Sequence, residues 1–309
     1  MTKVVVSEYL PKVYIDRLRS RHDVVYDPDL HGNRTRLLAE LADAEAVFIR
    51  NRTRVDDELI RAAPRMRVIG RLGVGLDNID LEACNRAAVT VIPAVGANAV
   101  SVAEYVIGAM LVLIRGVYGM TPSMIAGEWP RQGHAFGREL SGKILGLVGL
   151  GSIARQVAIR AAGLGMVVVA HDPLLPDDDP AWERVGRRDL ATLLTDSDVI
   201  SIHVPLNDDT RHVVDGAALE RMKPTAILIN TSRGGTIDEA ALASALRRGR
   251  IGGAALDVFE SEPLGPGPAA VFAGLPNLIL TPHVAGNTHE SVDRVARMIV
   301  DAVVEALRS

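Results

Sequence analysis

The chain has 309 residues, 48% of them hydrophobic and 28 of them glycine, enough for two compact domains with well-buried cores. Its 34 Lys and Arg against 38 Asp and Glu leave a net charge of −4 with no basic block, which argues against a nucleic-acid partner. A single cysteine, Cys84, excludes an intrachain disulfide framework and a multi-cysteine metal site, so no metal is expected and a reducing, cytoplasmic setting is.

The opening MTKVVVSEYL runs straight into strand-like alternation without the charged start and long apolar centre of a leader. Strands are predicted at 4–8 (VVVSE), 24–27 (VVYD), 46–49 (AVFI), 67–72 (RVIGRL) and 89–92 (VTVI), with helical stretches between them. From Asn98 to about Ile125 the pattern predicts one long helix, broken near Thr121-Pro122 and able to join two domains. Its apolar run at 106–114 falls short of the roughly 20 residues that a membrane span requires, so it reads as a buried helix and no membrane is expected.

Residues 143–172, KILGLVGLGSIARQVAIRAAGLGMVVVAHD, spell strand, glycine turn, helix and strand. The turn has the form GxGxxA: Gly149 permits the sharp bend, Gly151 lets the backbone approach a pyrophosphate, and Ala154 lets helix pack closely on strand. Amides at the helix start, Ser152 and Ile153, would hold the phosphates. Asp172 follows Gly151 by 21 residues, the distance at which an acid reaches the adenosine ribose, and its charge would repel a 2′-phosphate. The expected cofactor is NAD.

An acidic, proline-rich loop is predicted at 173–186, then strands at 198–205, 226–230, 253–259 and 278–282, and a final helix with Val292, Val295, Ala296, Ile299 and Val303 on its packing face. Alternation of strand and helix throughout gives an α/β fold with parallel sheets. Three polar residues stand out near the ends of the late strands: Arg233 in NTSRGG, Glu262 in LDVFESEP and His283 in LILTPHVAG. Arg233 and His283 follow apolar runs that read as buried strands, and Gly234 and Gly235 would let the backbone approach a ligand. An imidazole exchanges a proton near neutral pH, an adjacent carboxylate fixes its tautomer and favours imidazolium, and a guanidinium grips a carboxylate with two prongs. That set suits redox chemistry at an alcohol beside a carboxylate.

The segments RLGVGLDNID at 71–80, VAEYVIGAML from 102, GKILGLVGLGSIA at 142–154, HVPL at 203–206, NTSRGGTIDEAALASAL from 230, AALDVFESEP at 254–263 and TPHVAG at 281–286 resemble, in order and spacing, the NAD-dependent D-2-hydroxyacid dehydrogenases, particularly their D-3-phosphoglycerate dehydrogenase-like branch. The resemblance implies a doubly wound Rossmann parallel sheet at 99–286 and a smaller, flavodoxin-like α/β substrate domain made of 1–98 plus 287–309, with the active site in the cleft between domains and a homodimer formed through the cofactor domains. It implies that Arg233 binds the substrate carboxylate and carbonyl, that His283 is the acid/base and that Glu262 is its partner. It also implies cofactor contacts from His203, Val204, Pro205, Thr210, Thr231, Asp257 and Gly286, and substrate contacts from the backbone at Val74 and Gly75 and from Asn98.

Substrate choice is expected to depend on FIRNRTRV at 48–55, where Arg50 and Arg52, with Arg54 nearby, either receive an anion on substrate C3 or lie as solvated surface. RNRTRV, RLGVGLDNID and GSIAR are similar to the sulfolactate dehydrogenase branch, whose S substrate has the spatial arrangement of a D-hydroxyacid because the sulfur-bearing carbon outranks the carboxyl in naming priority. The candidates are therefore 3-phosphoglycerate and 3-sulfolactate, with glyoxylate or hydroxypyruvate reduction as an alternative and an NAD(H)-sensing, corepressor-like binding protein as another. Serine feedback through a further C-terminal domain is not expected of a chain read to Ser309.

Overall fold

The computed structural model describes residues 1–131 and 137–308, and Ser309, last in the range expected for the substrate domain, lies outside them. The chain forms two compact units, Met1–Asn98 with Asn287–Ser309, and Ala99–Gly286.

The first unit holds β1 (Lys3–Val6), β2 (Asp23–Tyr26), β3 (Ala46–Ile49), β4 (Val68–Arg71) and β5 (Thr90–Pro93) in the order β2-β1-β3-β4-β5, all parallel. This is the flavodoxin-like order. The central strands are covered on both faces, so their sequences run apolar rather than alternating: Val4, Val6, Phe48 and Val68 pack beneath the terminal helix His289–Ala306, whereas Val5, Val47 and Ile69 face the helices on the other side.

The second unit holds β6 (Ile144–Val148), β7 (Val167–His171), β8 (Gly186–Arg187), β9 (Val199–Ile202), β10 (Ile227–Asn230), β11 (Gly253–Leu256) and β12 (Leu278–Leu280) in the order β12-β11-β10-β9-β6-β7-β8, again all parallel. The chain winds from β6 outward to β8 and then returns to β9 on the other side of β6. That reversal makes β6 and β9 the switch point of a doubly wound Rossmann sheet, where ligands bind beyond the carboxyl ends of the strands.

Several details differ from the sequence expectations. The long helix is Ala99–Arg115 and ends before Gly116, whose φ of +62° turns the chain; the following Tyr118–Ile125 segment is bent from it by 71°. Thr121-Pro122 starts the short helix Thr121–Ile125 instead of breaking one, because a proline in a first turn has no amide to leave unpaired. The acidic loop contains the edge strand β8, and the run ahead of His283 is not a buried strand: β12 lies at the opposite edge of the sheet, with Leu278 and Ile279 half-buried and Leu280 exposed. No single helix among the described residues is long and apolar enough to cross a membrane.

Candidate active site

The glycine turn lies at the switch point. Gly149, directly after β6, has φ +89°, and a Cβ there would sit 2.7 Å from the carbonyl oxygen of His203, which follows β9. Only glycine satisfies both the left-handed backbone and the close approach. Gly151 caps helix Ser152–Gly163 with no side-chain acceptor, and a Cβ there would meet nothing within 4 Å, so the helix start that carries Ser152 and Ile153 is open beside Gly151. Asp172 follows β7, the neighbour of β6; its Oδ2 accepts the Leu150 amide at 2.8 Å and its Oδ1 the Leu174 amide at 3.1 Å, which fixes the carboxylate beside the turn. Beyond β10, the Thr231 hydroxyl is buried without a hydrogen-bond partner. An open helix start, an acid at the adjacent strand end and an orphaned hydroxyl fit a dinucleotide.

The loop after β9 carries His203, Val204 and Pro205. Burial lowers the His203 pKa to about 4, so the ring is neutral near pH 7, and its Nε2 lies in hydrogen-bond range of Ser201 Oγ at 2.9 Å. Thr210 is committed to the turn: its hydroxyl donates to the Pro205 carbonyl at 2.5 Å and accepts the Asn207 amide at 2.9 Å.

His283 and Glu262 meet: Nδ1 of the imidazole is 2.7 Å from Oε2 of the carboxylate. Oε1 of Glu262 accepts the Phe259 amide at 3.1 Å. Burial raises the Glu262 pKa, but the hydrogen bond and charge of His283, the Phe259 amide and the Arg233 guanidinium together hold it below the ordinary carboxylate range. With Nδ1 engaged, Nε2 is the imidazole atom left to exchange a proton.

Local structure sets these positions. Buried Asn230, the last residue of β10, accepts the Ser232 amide and hydroxyl at 3.0 and 2.8 Å and donates to the Arg233 carbonyl at 2.9 Å, shaping the loop around the guanidinium. Gly234 serves a purpose different from ligand approach, since a Cβ there would lie 1.8 Å from the Phe259 carbonyl oxygen. Its missing side chain lets the Arg233 loop press on the backbone leading to Glu262. His283 has φ +55°, an uncommon conformation for a residue with a Cβ, and its amide donates to the Asp257 carbonyl at 2.8 Å. The buried Asp257 carboxylate accepts the Val284 and Ala285 amides at 2.9 and 2.8 Å and the Thr281 hydroxyl at 2.6 Å, so it anchors the turn that runs through His283 to Gly286.

The remaining candidates belong to the first unit. Arg71, at the end of β4, donates from Nε to the Gly75 carbonyl at 2.9 Å and shapes the Gly73–Gly75 turn, where the Val74 and Gly75 amides donate to no protein acceptor among the described residues. Asn98 has a buried Oδ1 without a partner. Arg50 Nη2 lies 3.4 Å from Asn287 Oδ1 and Arg52 Nη1 3.5 Å from His31 Nε2, both long contacts with groups other than a carboxylate, whereas Arg54 Nε has the Asp56 carboxylate at 3.7 Å. Arg71, Glu8 beneath the arginine loop and Tyr105 against Thr281 were not singled out in the sequence. Arg71 puts a charge at the last position of an otherwise apolar strand, a signal that was available, whereas Glu8 stands two residues beyond β1 and carries no such mark.

A sequence profile described as D-isomer specific 2-hydroxyacid dehydrogenase, NAD binding domain, matches residues 107–285. The chain is 51% identical to an (S)-sulfolactate dehydrogenase from Chromohalobacter salexigens across 99% of both chains. It is 37% identical to a D-3-phosphoglycerate dehydrogenase from Archaeoglobus fulgidus, covering 98% of this chain but 56% of that one, so it spans little more than half of that relative. Among solved structures it is similar to the D-lactate dehydrogenase from Aquifex aeolicus complexed with NAD and lactic acid, with a TM-score of 0.86, 28% identity, and coverage of 99% of this chain and 96% of that one.

Proposed function

The chain belongs to the D-isomer-specific 2-hydroxyacid dehydrogenases, NAD-dependent oxidoreductases of CH–OH groups, and from that premise we propose that its substrate carries a second anion on C3, with 3-sulfolactate and sulfopyruvate as the reacting pair. The observation that carries this reading is the pair Arg50 and Arg52, two guanidiniums with no carboxylate partner among the described residues. The full-length similarity to an (S)-sulfolactate dehydrogenase supports the sulfonate over a phosphate.

In this reading Arg233 grips the C1 carboxylate and the C2 oxygen through its planar fork, assisted by the amides of Val74 and Gly75 and by Asn98, while Arg50 and Arg52 take the C3 anion. NAD, held at the glycine turn by the first-turn amides of Ser152 and Ile153 and by Asp172, would supply the hydride-transfer chemistry. During oxidation, Nε2 of neutral His283 takes the C2 hydroxyl proton as the carbonyl forms; during reduction, the imidazolium gives that proton back. Glu262 holds the ring through Nδ1 and offsets its charge. Gly149, Gly151, Ser152, Ile153, Asp172, His203, Val204, Pro205, Thr210, Thr231, Asp257 and Gly286 form the cofactor side, Asp257 and Thr210 acting through the loops that they hold.

Steady-state kinetics test the assignment: NADH oxidation with sulfopyruvate, 3-phosphohydroxypyruvate, hydroxypyruvate and glyoxylate. The sulfonate should give the highest kcat/KM, and a higher value for any of the other three would replace it. We also propose a cytoplasmic homodimer. The apolar residues Tyr118, Ile125 and Trp129, exposed beyond the helix bend, supply the surface, and a monomeric mass in solution at micromolar concentration would refute it.

A further inference from the structure

Glu8 follows β1 by two residues and is only 4% exposed, yet no cationic side chain pairs with it among the described residues. Removing a carboxylate from water is costly unless hydrogen bonds replace the lost hydration. Here three backbone amides do so. Oε1 accepts the Arg50 amide at 2.7 Å and the Thr53 amide at 3.0 Å, and Oε2 accepts the Arg52 amide at 3.2 Å. From the neighbouring loop, Asn78 Nδ2 donates to the Arg50 and Thr53 carbonyls at 3.0 and 2.6 Å, and Ser7 Oγ lies 2.8 Å from Thr53 Oγ1. The backbone of residues 50–53 is thus clamped, while the Arg50 and Arg52 side chains make only long contacts, with the Asn287 amide and the His31 imidazole.

We propose that Glu8 is a positioning residue for substrate selectivity: its buried carboxylate fixes the backbone from which Arg50 and Arg52 present their charges to the anionic group on substrate C3. The inference rests on the reading of those arginines as the anion-binding pair. It explains why an acid occupies a buried position beneath a basic loop without neutralising the guanidiniums: its charge is spent on backbone amides. Both oxygens are needed, because the amides arrive at both. Glutamine has one oxygen, so it keeps the Arg50 and Thr53 amides and sets its NH2 against the amide of Arg52.

The test compares Glu8→Gln and Arg52→Gln with the unaltered enzyme, using NADH with sulfopyruvate and, separately, with glyoxylate, which has no C3. Glu8→Gln should raise the KM for sulfopyruvate by about tenfold while kcat and the KM for glyoxylate stay within about twofold. An equal loss with both substrates, or no loss with either while Arg52→Gln still lowers the sulfopyruvate-to-glyoxylate preference, overturns the role of Glu8 and leaves the arginine assignment standing. An unaltered preference in Arg52→Gln overturns the arginine assignment and this inference with it. Should Glu8→Gln fail to fold, Asn78→Ser releases the same segment through its carbonyls, and it must show the same loss confined to sulfopyruvate or the proposal falls.

Discussion

Nδ1 of His283 lies 2.7 Å from Oε2 of Glu262, and this pairing holds the Glu262 carboxyl below its ordinary range although burial pushes it upward. The sign of the effect is testable by carboxyl-resolved NMR titration. Glu262 stays ionised as the pH falls through the ordinary value, and the pair is lost only at its lower folded pKa. In His283→Ala the burial loses its largest counterweight, so the Glu262 midpoint should move up. An unmoved midpoint would separate the two residues. The same variant should bind NADH within about twofold of the unaltered protein and lose about 10²- to 10⁴-fold in kcat, the range attributable to a lost acid/base.

Gly234 and Gly151 should respond oppositely to alanine. At Gly234 the new methyl would meet the Phe259 carbonyl oxygen at 1.8 Å and the Glu260 amide nitrogen at 2.5 Å, both backbone atoms that cannot swing aside. Gly234→Ala should cost about 1–3 kcal/mol in urea unfolding, as overpacking does, and displace the Arg233 loop enough to raise the substrate KM. Gly151 has empty space around its Cβ position, so Gly151→Ala should unfold with the native midpoint yet bind NADH about tenfold more weakly, because the methyl occupies the pyrophosphate approach.

The parts of this architecture that depend on near neighbours in sequence were readable in advance. Gly149, Gly151 and Asp172 lie within one strand-helix-strand unit, and apolar runs such as AVFI and ILIN read as buried parallel strands because both faces of those sheets are covered. Features that depend on distant chain segments were not. Gly234 looked like a ligand contact because the sequence does not reveal that Phe259 packs against it. Glu8 is indistinguishable by composition from 37 other acidic side chains until the loop at 50–53 folds over it. Pro122 drew attention away from Gly116, which bends the chain. β12 looked buried because three apolar residues in a row carry no mark of an edge.

The turn carrying His283 is held by a relay on its far side. The Tyr105 hydroxyl lies 2.6 Å from Thr281 Oγ1, which donates to Asp257 Oδ1 at 2.6 Å, and Asp257 also accepts the Val284 and Ala285 amides. Asp257→Asn replaces an acceptor with a donor inside this cluster and strands at least one amide, which should cost about 1–3 kcal/mol of stability and lower kcat by about tenfold. Tyr105→Phe removes only the outermost bond, so a loss near 1 kcal/mol with kcat changed less than about threefold is expected. A larger effect on kcat from Tyr105→Phe than from Asp257→Asn would refute this order.

His203 links stability to pH through burial. Its folded pKa is near 4 against an ordinary value of 6.5, so the folded protein refuses a proton that the unfolded chain takes up. Its contribution is complete above pH 6.5 and is lost as the pH falls from there toward 4. At pH 5 the loss should be on the order of 2 kcal/mol relative to neutral pH. His203→Asn has no proton to refuse, so its unfolding free energy should decline less steeply across that interval, whatever its value at neutral pH. Parallel slopes for the two proteins would mean that the ring is not kept neutral by burial. Because His203 flanks the Gly149 turn, a neutral ring also predicts that NADH affinity stays level between pH 5.5 and 8, within about twofold by fluorescence titration.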